Sequence, residues 1–498
     1  MKKHICLLFA LWLGLLCGCD DERFSSDPSY RLSFSSDTVS FDTIFTTIGS
    51  ATYQLRVYNR NDRSLNIRSI RVADAVQSGF RVNVDGHQGT SFADLEIRRN
   101  DSMYVFVEVK VDPTNQNGPV LVRDALMFQL ESGVEQQVVL QAYGRDMIPL
   151  HGLVVSADTT FTAYRPLLVY DSLRVDEGAT LTLEAGTELY FHDKTGLDVY
   201  GRLVANGTHE RPVVFRGDRL DKMTELDLPY DRVAGQWGGI RLRTSSYDNV
   251  LNYVDVHGGN YGILCDSSDL SRPKLLLDNS VVHNVKTNGI ELVSAQVQIG
   301  NCEITNAGNN CVAMLGGSAV FIHCTIANFY SWDIRRGDAV YLINKKDDVY
   351  YPLERAFFYN CLITGSTTDE LNGGADKETP EEMPFAYGFA YSLINTILDA
   401  KDEEYDQLVA NHYPECLWDE KKTDDGRSLA RDKNFVYIGR DDFRYDFHLD
   451  SLSAAVNLGA PQYALYYPYD RDGRIRLTDG LPDAGCYEWM PNNEHNNE

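Results

Sequence analysis

A short phrase returns five times after residue 250. Asn252-Tyr253-Val254-Asp255-Val256 is followed by Asn279-Ser280-Val281-Val282, Asn301-Cys302-Glu303-Ile304, His323-Cys324-Thr325-Ile326 and Asn360-Cys361-Leu362-Ile363. A looser copy is Asn395-Thr396-Ile397-Leu398. The second residues stand at 253, 280, 302, 324, 361 and 396, so the spacings are 27, 22, 22, 37 and 35. A spacing near 22 is one coil of a three-strand β-helix, and the longer intervals are coils carrying inserted loops. A second phrase, Gly262-Ile263, Gly289-Ile290 and Cys311-Val312, sits ten residues after three of these anchors. Two landmarks held at fixed separation mean coils stacked in register. Each coil adds about 4.8 Å, the spacing of paired strands, and inward Val, Ile, Leu, Phe and Cys form one long core.

Four residues after the anchors come His257, Asn284, Asn306 and Asn328. Asn tolerates the left-handed backbone of a sharp corner, and stacked amides hydrogen-bond along such a helix. Asn284, Asn306 and Asn328 are therefore expected to form a structural ladder with no part in catalysis. Cys302, Cys324 and Cys361 fall at the anchor itself, which predicts buried thiols acting as small hydrophobes. Seven cysteines follow the first twenty residues, an odd number without a C-x-x-C pair, so neither a complete disulfide framework nor a zinc knuckle is expected.

The remaining composition agrees with an all-β chain. There are 29 Tyr, 21 Phe and 38 Gly but only 16 Pro, and no long stretch keeps a 3.6-residue period. A length of 498 residues calls for two or more domains or a repeat array. The net charge of −26 repels phosphate backbones, which argues against a nucleic-acid partner. Before the repeats, from about residue 30 to 148, short alternating strands such as Tyr53–Tyr58, Tyr104–Val109 and Val138–Tyr143 lie between turn signals such as Asn59-Arg60-Asn61-Asp62 and Asp112-Pro113. Seven or so such strands in this length predict an immunoglobulin-like sandwich. The Asn-bearing turn, the V-x-V before a Pro turn and the closing Gly144 resemble the bacterial domains related to the ASPM/SPD-2/Hydin group, which implies a spacer or binding platform.

The chain opens on Met1-Lys2-Lys3-His4 and an apolar run from Ile5 to Leu16, right for a signal-peptide core and too short for a membrane span. Leu16-Cys17-Gly18-Cys19 resembles a bacterial lipobox, implying removal of residues 1–18, lipidation of Cys19 and a tether over 19–29. Asp20-Asp21-Glu22 resembles the acidic export tag of Bacteroidetes lipoproteins. The expectation is an outer-membrane protein, held by its lipid alone and facing the extracellular surface.

Upstream of the repeats, Leu181-Thr182-Leu183-Glu184-Ala185-Gly186-Thr187, Gly196-Leu197-Asp198-Val199-Tyr200-Gly201 and Gly235-Gln236-Trp237-Gly238-Gly239-Ile240 are similar to the opening coils of the pectate-lyase-like superfamily. Asp470-Arg471-Asp472-Gly473 and Pro482-Asp483-Ala484-Gly485-Cys486-Tyr487-Glu488 are similar to its closing segment. The resemblance implies a right-handed parallel β-helix over 150–490, with inserted loops near 329–338, 366–385 and 401–430 and a polar tail over 491–498. It implies no single activity, since the fold hosts lyases, hydrolases, esterases and inert adhesins. The Asn-x-Asp and Gly-His-Gly stretches of polygalacturonase-type members do not occur after residue 150, so no catalytic residue is assigned.

The best candidate ligand site is the insertion between Cys324 and Ala339-Val340, with Tyr330, Trp332, Asp333, Arg335 and Arg336, together with Tyr350 and Tyr351 of the next loop. Rings pack on sugar faces and Arg pairs carboxylates bidentately, so a polysaccharide or a surface protein is the expected partner. Asp470-x-Asp472-Gly473 looks like the start of a Ca²⁺ loop but lacks its later Glu, and a structural turn is expected there. No metal or cofactor is assigned, Ca²⁺ being the one ion the acidic clusters could hold. The rival reading is a polysaccharide lyase or glycoside hydrolase acting on uronic-acid glycans, and the third a structural or adhesive stalk. The Tyr-rich stretch Tyr463–Tyr469 is expected to help close the far end of the solenoid, and the acidic inserts are expected to be mobile loops.

Overall fold

A computed structural model describes residues 24–223, 228–398, 402–418 and 432–490. The leader, Cys19, the acidic triplet after it and the 491–498 tail lie outside these residues. The chain divides into two compact units at Asp146/Met147, against the boundary near 148 read from the sequence.

The first unit consists of two five-stranded sheets around one apolar core. One sheet runs Ser33–Phe34, Tyr53–Asn59, Asp101–Val109, Phe80–Val84, His87–Gly89. The other runs Thr38–Phe45, Glu135–Arg145, Val120–Leu130, Leu65–Val72, Ser91–Ile97. The period of two explains the core, because Leu55, Val57, Val105, Val107, Val109, Leu126, Phe128, Leu130, Val138 and Leu140 all face inward and are buried. The Asn59 turn is fixed by its buried side chain, whose Nδ2 donates to the carbonyls of Arg63 and Ile97 at 2.8 and 3.0 Å.

The second unit is a right-handed parallel β-helix with three faces. On the first face, Val213–Gly217, Val254–His257, Val281–Val285, Glu303–Ala307, Thr325–Asn328 and Leu362–Gly365 pair in parallel, one per coil. On the second, Ile240–Leu242, Ile263–Cys265, Ile290–Val293, Val312–Leu315, Val340–Ile343 and Leu371–Gly374 do the same. The third runs from Thr159–Phe161 to Phe385–Ala390. The second phrase holds in the structure, since Ile263, Ile290, Val312 and Val340 stand directly above one another. The strand Leu371–Gly374 shows that part of the 366–385 insert is a regular rung and not a loop.

The anchor alignment needs two corrections. Asp255 pairs with Val281 and Leu362 with Leu393, so the residues in register with Ser280 and Cys361 are Val254 and Ser392, not Tyr253 and Thr396. The corner residue just before this register has positive φ in six successive coils: Tyr253 (46°), Asn279 (52°), Asn301 (57°), His323 (52°), Asn360 (52°) and Tyr391 (52°). Asn suits that conformation, but Tyr occupies it at both ends, and matching Asn to Asn there displaces the alignment. The amide ladder forms at this corner, with Asn279 Nδ2 donating to Asn252 Oδ1 at 2.8 Å and Asn301 Nδ2 to Asn279 Oδ1 at 2.6 Å.

Asn284, Asn306 and Asn328 do stack in adjacent coils, and Asn284 and Asn306 are left-handed (52° and 54°). The amides of Asn306 and Asn328, however, serve backbone groups: Asn306 Oδ1 accepts from Phe329 N–H (3.1 Å) and Asn328 Oδ1 from Ala307 N–H (3.2 Å). His257 stands outside this column and pairs with His283.

The cysteines pack as expected. All seven described are free, and all but the half-buried Cys416 are buried. Ser280, Cys302, Cys324, Cys361 and Ser392 form one inward column at the start of the first face, and Cys361 N–H donates to Ser392 Oγ at 3.0 Å. Burial pushes the Cys302, Cys324 and Cys486 thiols well up, so they stay protonated and inert.

The far end is closed by an element the sequence read as a mobile loop. Within the 401–430 insert, a helix over Asp402–His412 brings Leu408 and Val409 against the solenoid core, and Tyr413 follows it. Tyr413 completes a stack of rings along the helix axis, Phe321–Phe358–Phe389–Tyr413, with centroids 4.4, 4.7 and 5.3 Å apart. The Tyr-rich stretch lies elsewhere. Tyr463 stacks on Tyr359 at 4.4 Å, and Tyr467 Oη donates to Asp278 at 2.7 Å. Residues 432–490 thus run along the flank of the coils and cover the outer side of the first face, where Phe435, Phe447, Leu449 and Tyr487 bury Ala327, Phe329, Leu362 and Leu393.

Candidate functional site

The outer side of the first face is where side chains with chemistry meet. Two segments border it: the loop through Tyr230–Arg232 and the hairpin Phe435–Gly439/Arg444–Leu449. They touch where Arg232 Nη1 donates to the Asp442 carbonyl at 3.1 Å. Between them lies a shallow groove, with a free volume of about 10 Å³, whose lining includes Arg232, Asn284, Asn306, Tyr330, Trp332 and Tyr445. Its walls are held by specific contacts. Ser331 Oγ donates to the Arg440 carbonyl at 3.0 Å, and the Trp332 ring meets Phe443 edge-on at 4.9 Å.

The seven residues expected to bind a ligand fall into separate places. Tyr330 and Trp332 line the groove, beside two of the three ladder asparagines. Asp333 is exposed, with Oδ1 accepting from Ile334 N–H at 2.7 Å, and Arg336 is exposed beside it. Arg335 turns inward, contrary to its expected role. Its Nη2 donates to both Glu370 carboxylate oxygens at 2.9 and 2.7 Å, and Nη1 donates to the Asn328 carbonyl. Glu370 is fully buried and also accepts from Thr367 N–H (2.8 Å) and Ala339 N–H (2.9 Å). Burial pushes its pKa up in spite of the Arg335 charge and these donors. This ion pair ties the insertion to the next coil. Tyr350 and Tyr351 belong to the neighbouring hairpin Lys345–Lys346/Val349–Tyr350, where Tyr350 Oη donates to Asp376 at 3.0 Å, and they do not line the groove.

One residue along from Asn284 and from Arg232 stands a cluster that no sequence motif marks. His257 is buried, and both of its ring nitrogens face carboxylates: Nδ1 lies 2.7 Å from Asp255 Oδ1 and Nε2 lies 2.9 Å from Asp231 Oδ1. His283, one coil on, places Nε2 3.3 Å from Asp255 Oδ1, and the two imidazoles are 4.8 Å apart. Arg216 pairs with Asp231 at 2.6 Å. Burial alone would lower the His257 pKa, but the Asp255 charge and the hydrogen bonds to Asp231 and Asp255 outweigh it and push it up to about 9. Burial opposes ionisation of Asp255 and Asp231 too, yet the neighbouring histidines hold both below the usual carboxylate range. The sequence signal was Asp255-x-His257 with His283 on the facing strand, visible only once the 26-residue register is known.

A second histidine of the same type lies in the closing segment. His448 Nδ1 is 2.6 Å from Asp446 and Nε2 2.7 Å from Asp472. The Asp470-x-Asp472-Gly473 turn is structural, as expected: Asp470 Oδ1 accepts from the backbone N–H of Asp472 (2.9 Å) and Arg474 (2.7 Å). A larger depression of about 280 Å³, lined by Leu342, Leu371, Phe385, Tyr387, Leu398 and Tyr413, lies at the open end of the core beside the capping helix.

The comparisons with known proteins add the following. The family model described as "Right handed beta helix region" matches residues 170–330. No curated protein matches the chain. A solved protein of unknown function from Porphyromonas gingivalis W83 is similar at 12% identity and a TM-score of 0.18, covering 24% of this chain and 58% of that one. A family 123 glycoside hydrolase from Clostridium perfringens is similar at 7% identity and a TM-score of 0.17, over 25% of this chain and 30% of that one. The ASH/PapD-like domain 7 of human CEP192 is similar at 10% identity and a TM-score of 0.17, over 25% of this chain and 89% of that one.

Proposed function

We propose that this chain is a cell-surface lipoprotein of Bacteroidetes type, anchored to the outer membrane through Cys19. In this reading an immunoglobulin-like sandwich carries a β-helix that binds glycan without transforming it. The observation that carries the proposal is the groove at Trp332. It offers aromatic rings (Tyr330, Trp332, Tyr445), side-chain amides (Asn284, Asn306) and one guanidinium (Arg232) within a single concave surface. Rings of this kind stack on the apolar faces of sugars while amides and cations satisfy hydroxyls and carboxylates. The groove is shallow, with a free volume of about 10 Å³, far below the ~300–1,000 Å³ of a drug-sized ligand pocket, so a sugar would rest on its rim of rings and not enter it.

The test has two arms. Residues 27–498 are screened on a glycan array beside a Trp332→Ala variant, which leaves the Arg335–Glu370 pair intact. Saturable binding that the substitution weakens at least ~10-fold is expected; a well-folded protein that binds no glycan would sink the reading in favour of a stalk or a protein-binding surface. Labelled fatty acid should enter the wild-type protein in its host but not Cys19→Ala, and equal labelling would remove the anchor.

A further inference from the structure

We propose that Asp255, His257 and His283 form a binding site for a first-row transition-metal dication such as Zn²⁺. Asp255, His257 and His283 each offer one ligand atom, and these three atoms lie within 4.8 Å of one another. Two of the separations are 2.7 and 3.3 Å, both measured from Asp255 Oδ1. Tetrahedral zinc with ligand bonds of ~2.0–2.2 Å requires donors ~3.3 Å apart, so a small opening of side chains completes the set. Two imidazoles and one carboxylate are the borderline ligands this class of ion prefers, and differ from the all-oxygen shell of Ca²⁺.

The surroundings fit the same role. A metal-bound imidazole characteristically donates its other N–H to a carboxylate, which fixes the ring and raises its basicity. His257 does this: with Nδ1 turned to the other two donors, Nε2 faces Asp231 at 2.9 Å. Asp231 is in turn held by Arg216 at 2.6 Å. The fold fixes the spacing, because Asp255 and His257 share one face of a strand and His283 stands opposite His257 on the next rung. On binding, the ion takes the place of the proton on Nδ1, and that proton leaves to solvent. The Asp255 and His283 side chains keep 29% and 26% of their surface exposed, which leaves a fourth position for water, as in open three-ligand sites. The inference does not rest on the glycan reading, since metal binding is measured without any sugar.

The experiment uses the full mature chain without a polyhistidine tag, freed of metal by chelator. Zn²⁺ is titrated against a chromophoric competitor, and Co²⁺ serves as a spectroscopic probe. One Zn²⁺ per chain is expected, and Co²⁺ should give d–d absorption without a thiolate charge-transfer band. His283→Gln, at a partly exposed position, should weaken Zn²⁺ at least ~100-fold with an unchanged far-ultraviolet spectrum. Asp231→Asn should weaken it ~10–100-fold, the usual loss for an outer carboxylate. Absence of one-to-one binding would overturn the proposal. So would binding that His283→Gln leaves intact, or a thiolate band that moves the site to the cysteines.

Discussion

At the scale of single residues, the side chains with the most chemistry are committed to one another. Arg335 is the clearest case. Its sequence surroundings, among rings and charges on an inserted loop, mark it for a ligand, yet its guanidinium is spent on the fully buried Glu370. Removing one partner of a buried pair leaves an uncompensated charge, at a cost of about 3–5 kcal/mol. Arg335→Ala should therefore lower the unfolding free energy measured in urea by that amount, and Arg335→Met with Glu370→Gln should recover part of it. If the single variant loses under 1 kcal/mol, the pair does not hold the insertion. Trp332, three residues earlier, remains half-buried at the groove and is the residue on which ligand binding is best tested.

At the scale of elements, the solenoid's problem is its last rung, where unpaired strand edges and core side chains would face water. The helix Asp402–His412 answers it with Leu408 and Val409 against the core and Tyr413 ending the ring stack. Each stacked pair contributes about 0.5–1.5 kcal/mol beyond the area it buries. Leu408→Glu places a charge on that apolar end. It should give concentration-dependent oligomers by light scattering that the wild type does not form at the same concentration. An unchanged mass distribution would mean the helix is not the cap. Its composition, acidic and weakly apolar, reads as a solvated loop; what makes it a helix is the core end it packs on.

At the scale of the whole β-helix unit, residues 432–490 bind coils far apart in sequence and turn a bare solenoid into one with a covered flank. His448 is the central tie, its ring tilted against Tyr487 at 4.1 Å and bracketed by Asp446 and Asp472. His209, Arg471 and Arg474 also face Asp472. Burial would lower the His448 pKa, but the two carboxylates push it up to about 9. Because the folded value lies above the unfolded one of ~6.5, this stabilisation is complete below pH ~6.5 and fades as pH rises through 9. The stability difference between wild type and His448→Gln should shrink over that window, by at most ~3 kcal/mol. A difference independent of pH from 6 to 10 would show that His448 is not held as the charged form.

The sequence by itself determined the solenoid. A repeat near 22 residues with two landmarks at fixed separation leaves few other ways to stack strands, and hydrophobic alternation sorts inward from outward positions without any tertiary detail. It also placed the cysteines inside, because a thiol at a repeated inward position has nowhere else to go. The tertiary structure alone decided the rest. Coils of unequal length allow a one-residue error in register, and Tyr253 and Tyr391 at corners where Asn is favoured produced that error at both ends of the repeat. One residue decides whether His257 stands over Asn284 or over His283, and so whether the histidine–aspartate cluster exists at all. The partners of Arg335, the lateral course of the closing segment and the capping helix depend on contacts between residues tens to hundreds of positions apart. No local pattern encodes such contacts, because the energy that selects them comes from surfaces formed only after the coils have stacked.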